Sequence, residues 1–434
     1  MVNDEIPGCE ADLGMEVFLT TTQGVGGRLK RHAEDFVVQE ISNHPPRVEG
    51  GRYVVAKVTA TNWEMNRLVR HISRSLGISR NLVHFAGTKD KRAVTTQLMT
   101  MEADAQAVRD LHIHQVLIED VYTSNKRLNI GDLVGNRFQV KVRDTVLQGE
   151  ELRTEALATK AQLDQVGGFP NFFGLQRFGS VRPITHLVGR EIVRNDMEGA
   201  VMWYVGNPNE DENQEAQEAR RRLQETRDFE EALRTFPSQL TFERTVIGYL
   251  VRNPGDYVGA IRVLPGNLQM MFVHAYQSYM FNRILSERLR RGMPLDRPLV
   301  GDVVLPADKN GLPDHDKYVP VTEQNLDLVQ RHVRDRKAFV SGVLFGQDSV
   351  FSTGEMGEIE RAVVESEGLK LQDFKVPEIP ECNSRGSRRE LLSHYKDLEL
   401  TIGEGELDVS FTLGKGCYAT VLLRELMKSG MLDY

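Results

Sequence analysis

Apolar and polar positions in the first 165 residues alternate between two rhythms, predicting strands and helices in turn. "DFVVQEI" (35–41) and "RYVVAKVTA" (52–60) carry the β-branched content of strands. "TNWE" (61–64) then reads as a capping box, Thr61 with Glu64 three residues on. Behind it Met65, Leu68, Val69, Ile72 and Leu76 share one face at helical spacing, and Gly77 stops the helix. "NLVHFAG" reads as a short buried strand and "AVTTQLMTM" as another, with "TKDKR" in the turn between them. A helix near 103–111 follows. "VLIEDVYT" and "NRFQVKVR" supply further strands, the latter with Phe138, Val140 and Val142 on one side. A helix near 150–165 completes the unit.

The pattern changes further along. Residues 207–236 are nearly free of large apolar side chains until Leu223 and suit a charged surface helix. "GNLQMMFVHAYQSYMFNRILSERLRRG" (266–292) predicts a long amphipathic helix ending at Gly292, and 293–320, rich in Pro, Gly and Asp, reads as loops. "LDVSFTLGKGCYATVLLRELMKSG" (407–430) gives a strand, a Gly-bracketed turn and a helix closed by Gly430. There is no internal repeat.

Composition narrows the classes. The 434 residues suit two domains, or one large domain carrying an insertion, and 40% hydrophobic with 27% charged residues is globular. No apolar run reaches membrane-spanning length and the acidic N-terminus lacks a secretory pattern, so a soluble cytoplasmic protein is expected. Three dispersed cysteines, Cys9, Cys382 and Cys417, with no CxxC or HExxH, argue against a disulfide framework or a metal centre. Net charge is −8, yet cations cluster at 28–32, 70–80, 89–92, 287–291, 331–337 and 384–390. Each cluster is either a solvated face or a surface for a polyanion.

Three stretches carry candidate chemistry. In "HFAGTKDKRAVTTQ" (84–97) Asp90 stands among Lys89, Lys91 and Arg92, on a Gly-led turn after a buried strand. Neighbouring cations favour a charged carboxylate, which suits a nucleophile or weak base better than a general acid. A turn residue bonding its own backbone is the alternative, and Gly87 supplies a positive-φ position in that reading. "GGFPNFFGLQRFG" (167–179) concentrates aromatics around Pro170, with Gly174 for a sharp turn; beside Arg177 they form either a stacking surface for unpaired bases or a buried corner. There Asn171 reads a base edge or caps a turn. Lys415 precedes a helix start that favours anions, with Tyr418 on the first helical turn.

Together with "RLKRHAEDFVVQEI", "LVGNRFQVKVR", "HAYQSYMFN" and "SRGSRRE", these stretches occur in an order that resembles the TruD family of tRNA pseudouridine synthases, from about residue 28 onward and in its archaeal-type form. The resemblance implies that Asp90 is the catalytic aspartate, with Lys30 beside it, and that Asn171, Phe173 and Tyr418 bind the substrate. It implies detachment of uracil from its ribose and reattachment through carbon, with no cofactor and no metal. It implies an α/β (α+β) fold: a pseudouridine synthase domain around a mixed, largely antiparallel sheet (1–168 and 391–434). Into this is inserted a TRUD domain (169–390), with a basic cleft between the lobes. The expected partner is tRNA, in its D-arm at uridine 13, and nothing calls for more than a monomer. Gly414 replaces a proline-like residue of the family motif. Two other readings exist: a non-catalytic RNA-binding protein or tRNA-folding chaperone, against which the Lys89–Asp90 pair speaks, and an aspartyl-phosphate phosphatase, which lacks its DxDx motif here.

Overall fold

A computed structural model describes residues 8–430 and 433–434, and the readings on the Cys9 thiol and on the extreme N-terminus fall outside what it describes. The chain divides into two compact units, Thr20–Phe169 with Ser393–Tyr434, and the residues up to Leu19 with Pro170–Leu392.

The first unit is built on eight strands: β1 Phe36–Ser42, β2 Tyr53–Thr61, β3 Val83–Phe85, β4 Val94–Met101, β5 Val116–Ser124, β6 Leu133–Val142, β7 Tyr395–Ile402 and β8 Leu407–Gly414. Their order is β7-β8-β6-β1-β4-β2-β5, with β3 also paired to β4. β1 and β4 run parallel, and the other pairings are antiparallel. The sheet is therefore mixed. One edge of β4 is shared: β1 takes Val94–Thr96 and β3 takes Met99–Met101. The chain leaving β3 must return to the start of β4 past the end of β1, and loop 86–93 makes that return.

Register fixes which side chains share a face. Val38 is opposite Phe138 and Thr95, Phe138 is opposite Phe411, and Thr95 is opposite Ala60. Strand alternation then puts Phe36, Val38 and Glu40 on the same face as Val54, Ala56, Val58 and Ala60. Helix α1 (Met65–Ser75) covers the β2 side of that face with Met65, Leu68, Val69 and Ile72. On the β1 side, Phe36, Phe138 and Phe411 form an aromatic row, at centroid separations of 6.1 and 5.1 Å. Helices α2 (Ala105–Arg109), α3 (Gly149–Val166) and α4 (Ala419–Met427) complete this unit.

The second unit centres on the helix Gly266–Arg290. Beside it is an antiparallel sheet ordered Ser387–Glu390, Ala338–Leu344, Val303–Pro306, Val319–Pro320. Two of those strands fall in 293–320, which the Pro and Gly content had marked as loops. The long helix is buried on most of its surface instead of along one stripe, and buries even Arg288, paired with Asp302 at 2.7 Å.

Other expectations need correcting. Thr61 ends β2 opposite Val94, and α1 is capped by Glu64, whose carboxylate accepts from the Asn66 and Arg67 amides. The charged stretch 207–236 forms two helices, Gln214–Thr226 and Phe229–Thr235, and inside it Arg220 is buried between Glu212 and Glu243. The last helix ends at Lys428, itself left-handed, ahead of Gly430.

Gly135 makes a close approach possible near the start of β6, where it pairs with Ile41 and Gly414. An added Cβ would meet the Leu413 carbonyl oxygen at 2.3 Å, and backbone cannot swing aside as a side chain can. Gly135→Ala is expected to destabilise the protein by about 1–3 kcal/mol. A urea midpoint equal to that of the native chain would show that the strands part without strain.

Candidate active site

Asp90 lies in the loop between β3 and β4, and small buried residues fix both ends of that loop. Ala86 and Ala93 are almost wholly buried. The Ala86 carbonyl accepts from Gly131 N–H at 2.8 Å and that of Ala93 from Asn62 N–H at 3.1 Å. Gly87 has no positive φ, so the turn reading of that residue does not hold.

A buried ion pair holds the loop's middle. Lys89 Nζ donates to Glu40 Oε2 at 2.5 Å, with the two side chains 7% and 1% exposed. Glu40 also accepts from Ser42 Oγ at 2.6 Å. Three cations flank Asp90 in sequence, but Lys89 turns inward onto β1, and Lys91 and Arg92 are exposed. The cation that meets Asp90 is Lys30, from 60 residues upstream, with Nζ 3.8 Å from Asp90 Oδ1.

Lys30 reaches that place through an unusual backbone. "RLKRH" is not a strand: Arg28 forms one isolated bridge to Arg143, and Lys30 then takes a left-handed conformation at φ 55°. A non-glycine residue held there stores strain, which persists where its surroundings dictate it. On one side is the Arg28–Arg143 bridge. On the other, Asp35 accepts from His32 N–H at 2.8 Å, closing a turn into β1, and binds Arg143 at 2.8 Å. Burial raises the Asp35 carboxyl, but its hydrogen bonds with Arg143 and His32 outweigh that and hold it below the usual range. The reversal at Lys30 sets its ammonium 4.3 Å above the Phe36 ring centroid, where cation and ring attract. Lys30 is thus sheltered at 13% exposure while Asp90 stays open at 39%. An accessible carboxylate fixed against one cation can act as a nucleophile or base.

Asn171 and Phe173 lie together in the second unit. Asn171 is buried, donating from Nδ2 to the Glu390 carbonyl and carboxylate, both at 2.9 Å, and accepting from Arg389 at 2.6 Å. The Arg389 guanidinium stands 4.2 Å from the Phe173 ring centroid, and Phe281 meets that ring edge-on. Asn282 clamps the Phe173 backbone, accepting its N–H at 2.8 Å and donating to its carbonyl at 3.0 Å. Phe169, Phe172 and Phe178 are fully buried, so the corner reading describes them, while Phe173 retains 7% exposure. Gly174 has ordinary extended backbone. Burial pushes the Glu390 carboxyl up, but the hydrogen bond with His315 and the charge of Arg389 bring it below its ordinary value.

Tyr418 lies in the first unit as the extended N-cap residue of α4, one position before the first turn, and Lys415 is exposed beyond β8. Sequence reasoning missed Glu40, Phe36, Arg389, Glu390 and Asn282. Glu40 carried a signal: alternation from Phe36 and Val38 put a carboxylate on the apolar face. Among the described residues no group of three or more His, Cys, Asp or Glu could hold a metal ion.

Comparison with known proteins defines the class. The family model "tRNA pseudouridine synthase D (TruD)" matches residues 12–426. A "Probable tRNA pseudouridine synthase D" of Methanococcoides burtonii is 43% identical over 98% of both chains, and one of Halobacterium salinarum is 40% identical over 98% of both. The crystal structure of a Methanosarcina mazei chain assigned to TruD has a TM-score of 0.88 and 39% identity, covering 99% of this chain and 100% of its own. The chain belongs to the TruD family of tRNA pseudouridine synthases.

Two predictions follow from the ion pairs. Lys89→Met strands the Glu40 carboxylate and is expected to cost about 3–5 kcal/mol in urea unfolding, whereas Glu40→Gln with Lys89→Met costs less. Equal losses would mean that the pair is not coupled. For Glu390, a lowered folded pKa means stability present above the unfolded value and lost as pH falls through the folded one. Glu390→Gln should therefore flatten the acid limb of the stability profile below pH ~4. An unchanged limb would show that this carboxylate does not contribute.

Proposed function

We propose that the protein converts uridine 13 in the D-arm of tRNA into pseudouridine, with Asp90 as the catalytic carboxylate. The unit carrying the eight-stranded sheet is read as the pseudouridine synthase domain, and 169–390 as the inserted TRUD domain. The observation that carries this reading is the Lys30–Asp90 contact on a pinned, partly open loop.

The reaction breaks the bond between the ribose anomeric carbon and uracil N1 and forms one to C5. C5 loses a proton and N1 gains one, so atoms balance with no redox change. Asp90 enters either by attacking the anomeric carbon or by taking the proton of the adjacent ribose carbon. Both routes need the ionised carboxylate, and Lys30 orients it. Eversion of the base costs a few kcal/mol, and stacking on an aromatic ring returns about 1–3 kcal/mol. Phe173 is the proposed stacking ring. Asn171 aids the grip by orienting Arg389 against it, and Tyr418 contributes packing or stacking for which its hydroxyl is optional.

The test is incubation of unmodified tRNA with native protein and Asp90→Asn, mapping pseudouridine by position. Product at position 13 is expected from the native chain, a rate at least about 10³-fold lower from the variant, and unchanged tRNA binding by both. Product from the variant would remove Asp90 from its role. Binding without product from either would make the protein an RNA-binding chaperone.

A further inference from the structure

The outward side of α1 has a composition unlike the other charged helices of the chain. Arg67, Arg70, His71 and Arg74 are exposed along it, and Arg80 follows beyond Gly77. Among the described residues, none of these four arginines has a carboxylate within ion-pair distance. The one acidic residue at the helix, Glu64, is engaged with the Asn66 and Arg67 amides as its cap. Arg67, Arg70 and Arg74 stand three and four positions apart, a spacing at which like charges repel and weaken a helix.

Elsewhere many of the clustered cations are neutralised, although Arg331, Arg334 and Arg336 are exposed without an ion pair among the described residues. Arg28 pairs with Asp433 and Arg31 with Asp144. Arg290 and Arg291 share Glu287, and Arg388 pairs with Glu360. On the helix Gln214–Thr226, Arg221 pairs with Glu218 and Arg222 with Glu231. A chain of net charge −8 thus leaves three arginines of α1 unpaired at helical spacing, where acidic partners would stabilise the helix. That row fits a polyanion supplied from outside.

Its position says which part of the polyanion. α1 covers the β2 side of the face on which β1 carries Phe36 and Glu40, so the row and the catalytic loop belong to one side of one sheet. The Asn62 amide, three residues before α1, donates to Ala93 at the end of that loop, where Lys91 and Arg92 are exposed and unpaired among the described residues. Trp63 adds a ring at the junction, 5.5 Å from the His71 ring and 5.6 Å from the Arg67 guanidinium.

Resting on the tRNA-modifying reading above, we propose that this strip, Arg67, Arg70 and Arg74 continuing into Lys91 and Arg92, is the phosphate-backbone rail of the catalytic unit. It holds the RNA strand that flanks the target nucleotide beside Asp90. It binds phosphates and reads no bases, so it sets affinity and register and leaves the chemical step alone.

The test replaces Arg67, Arg70 and Arg74 together by Gln, against a control with Arg221, Arg222 and Arg227 replaced by Gln, which changes net charge equally. Binding of unmodified tRNA is followed by fluorescence anisotropy across salt concentrations, and pseudouridine formation is followed at saturating protein. The rail variant is expected to lose roughly 2–3 from the slope of log K against log salt. Its KM should rise on the order of tenfold at 0.15 M salt, with an unchanged single-turnover rate at saturation. The control keeps the native slope. Arg70→Glu, which restores opposite charges at helical spacing, should weaken binding while its Tm stays level or rises. An unchanged slope in the rail variant, or an equal loss in the control, overturns the proposal. These slopes are read from binding alone, so they stand or fall separately from product formation by the native chain.

Discussion

The buried contact between Lys89 and Glu40 is the constraint on which the placing of Asp90 depends. A lysine next to Asp90 looks like its counter-charge, yet this one points into the sheet and ties the loop to β1. Two charges removed from water in this way contribute little net stability, but breaking the pair leaves one of them stranded. Its value is positional. It decides where Asp90 emerges, and it leaves the carboxylate to a cation from another segment.

That second cation comes at a conformational cost. Lys30 is left-handed because the Arg28–Arg143 bridge fixes the chain before it and the Asp35 turn fixes the chain after it. The reversal brings its ammonium between the Phe36 ring and Asp90. A strained residue, an aromatic floor and a pinned loop therefore meet at one carboxylate, as expected where function is built against local stability. In the other unit the same logic is applied to a ring. Asn282 clamps the Phe173 backbone while Arg389, itself bonded to Asn171, covers a face of the side chain.

Much of this was legible in the residues. Strand rhythm located β1, β2, β4 and β5 to within a residue or two, and apolar spacing located α1, whose apolar face packs against the sheet. The signal failed where burial is not apolar. Arg220 is buried between Glu212 and Glu243, so a stretch that reads as a solvated helix contains part of a core. Strands at Val303–Pro306 and Val319–Pro320 were hidden by the prolines and glycines around them. Asp90 stood out as a lone carboxylate among cations on a Gly-led turn, and its proposed role came from the resemblance of its motif to a family. Its true partner could not be found by proximity in sequence, because the nearest lysine was already engaged elsewhere.

The measurement that bears most directly on this division of labour is a rescue experiment on the single-turnover rate with unmodified tRNA. Lys89→Met should be slow because it strands Glu40, and adding Glu40→Gln should recover most of the rate. Lys30→Met should be slow because Asp90 has lost its cation, and Glu40→Gln should recover nothing. If instead the Lys89→Met rate stays low after Glu40 is neutralised, Lys89 acts on Asp90 itself and the account of the loop is wrong.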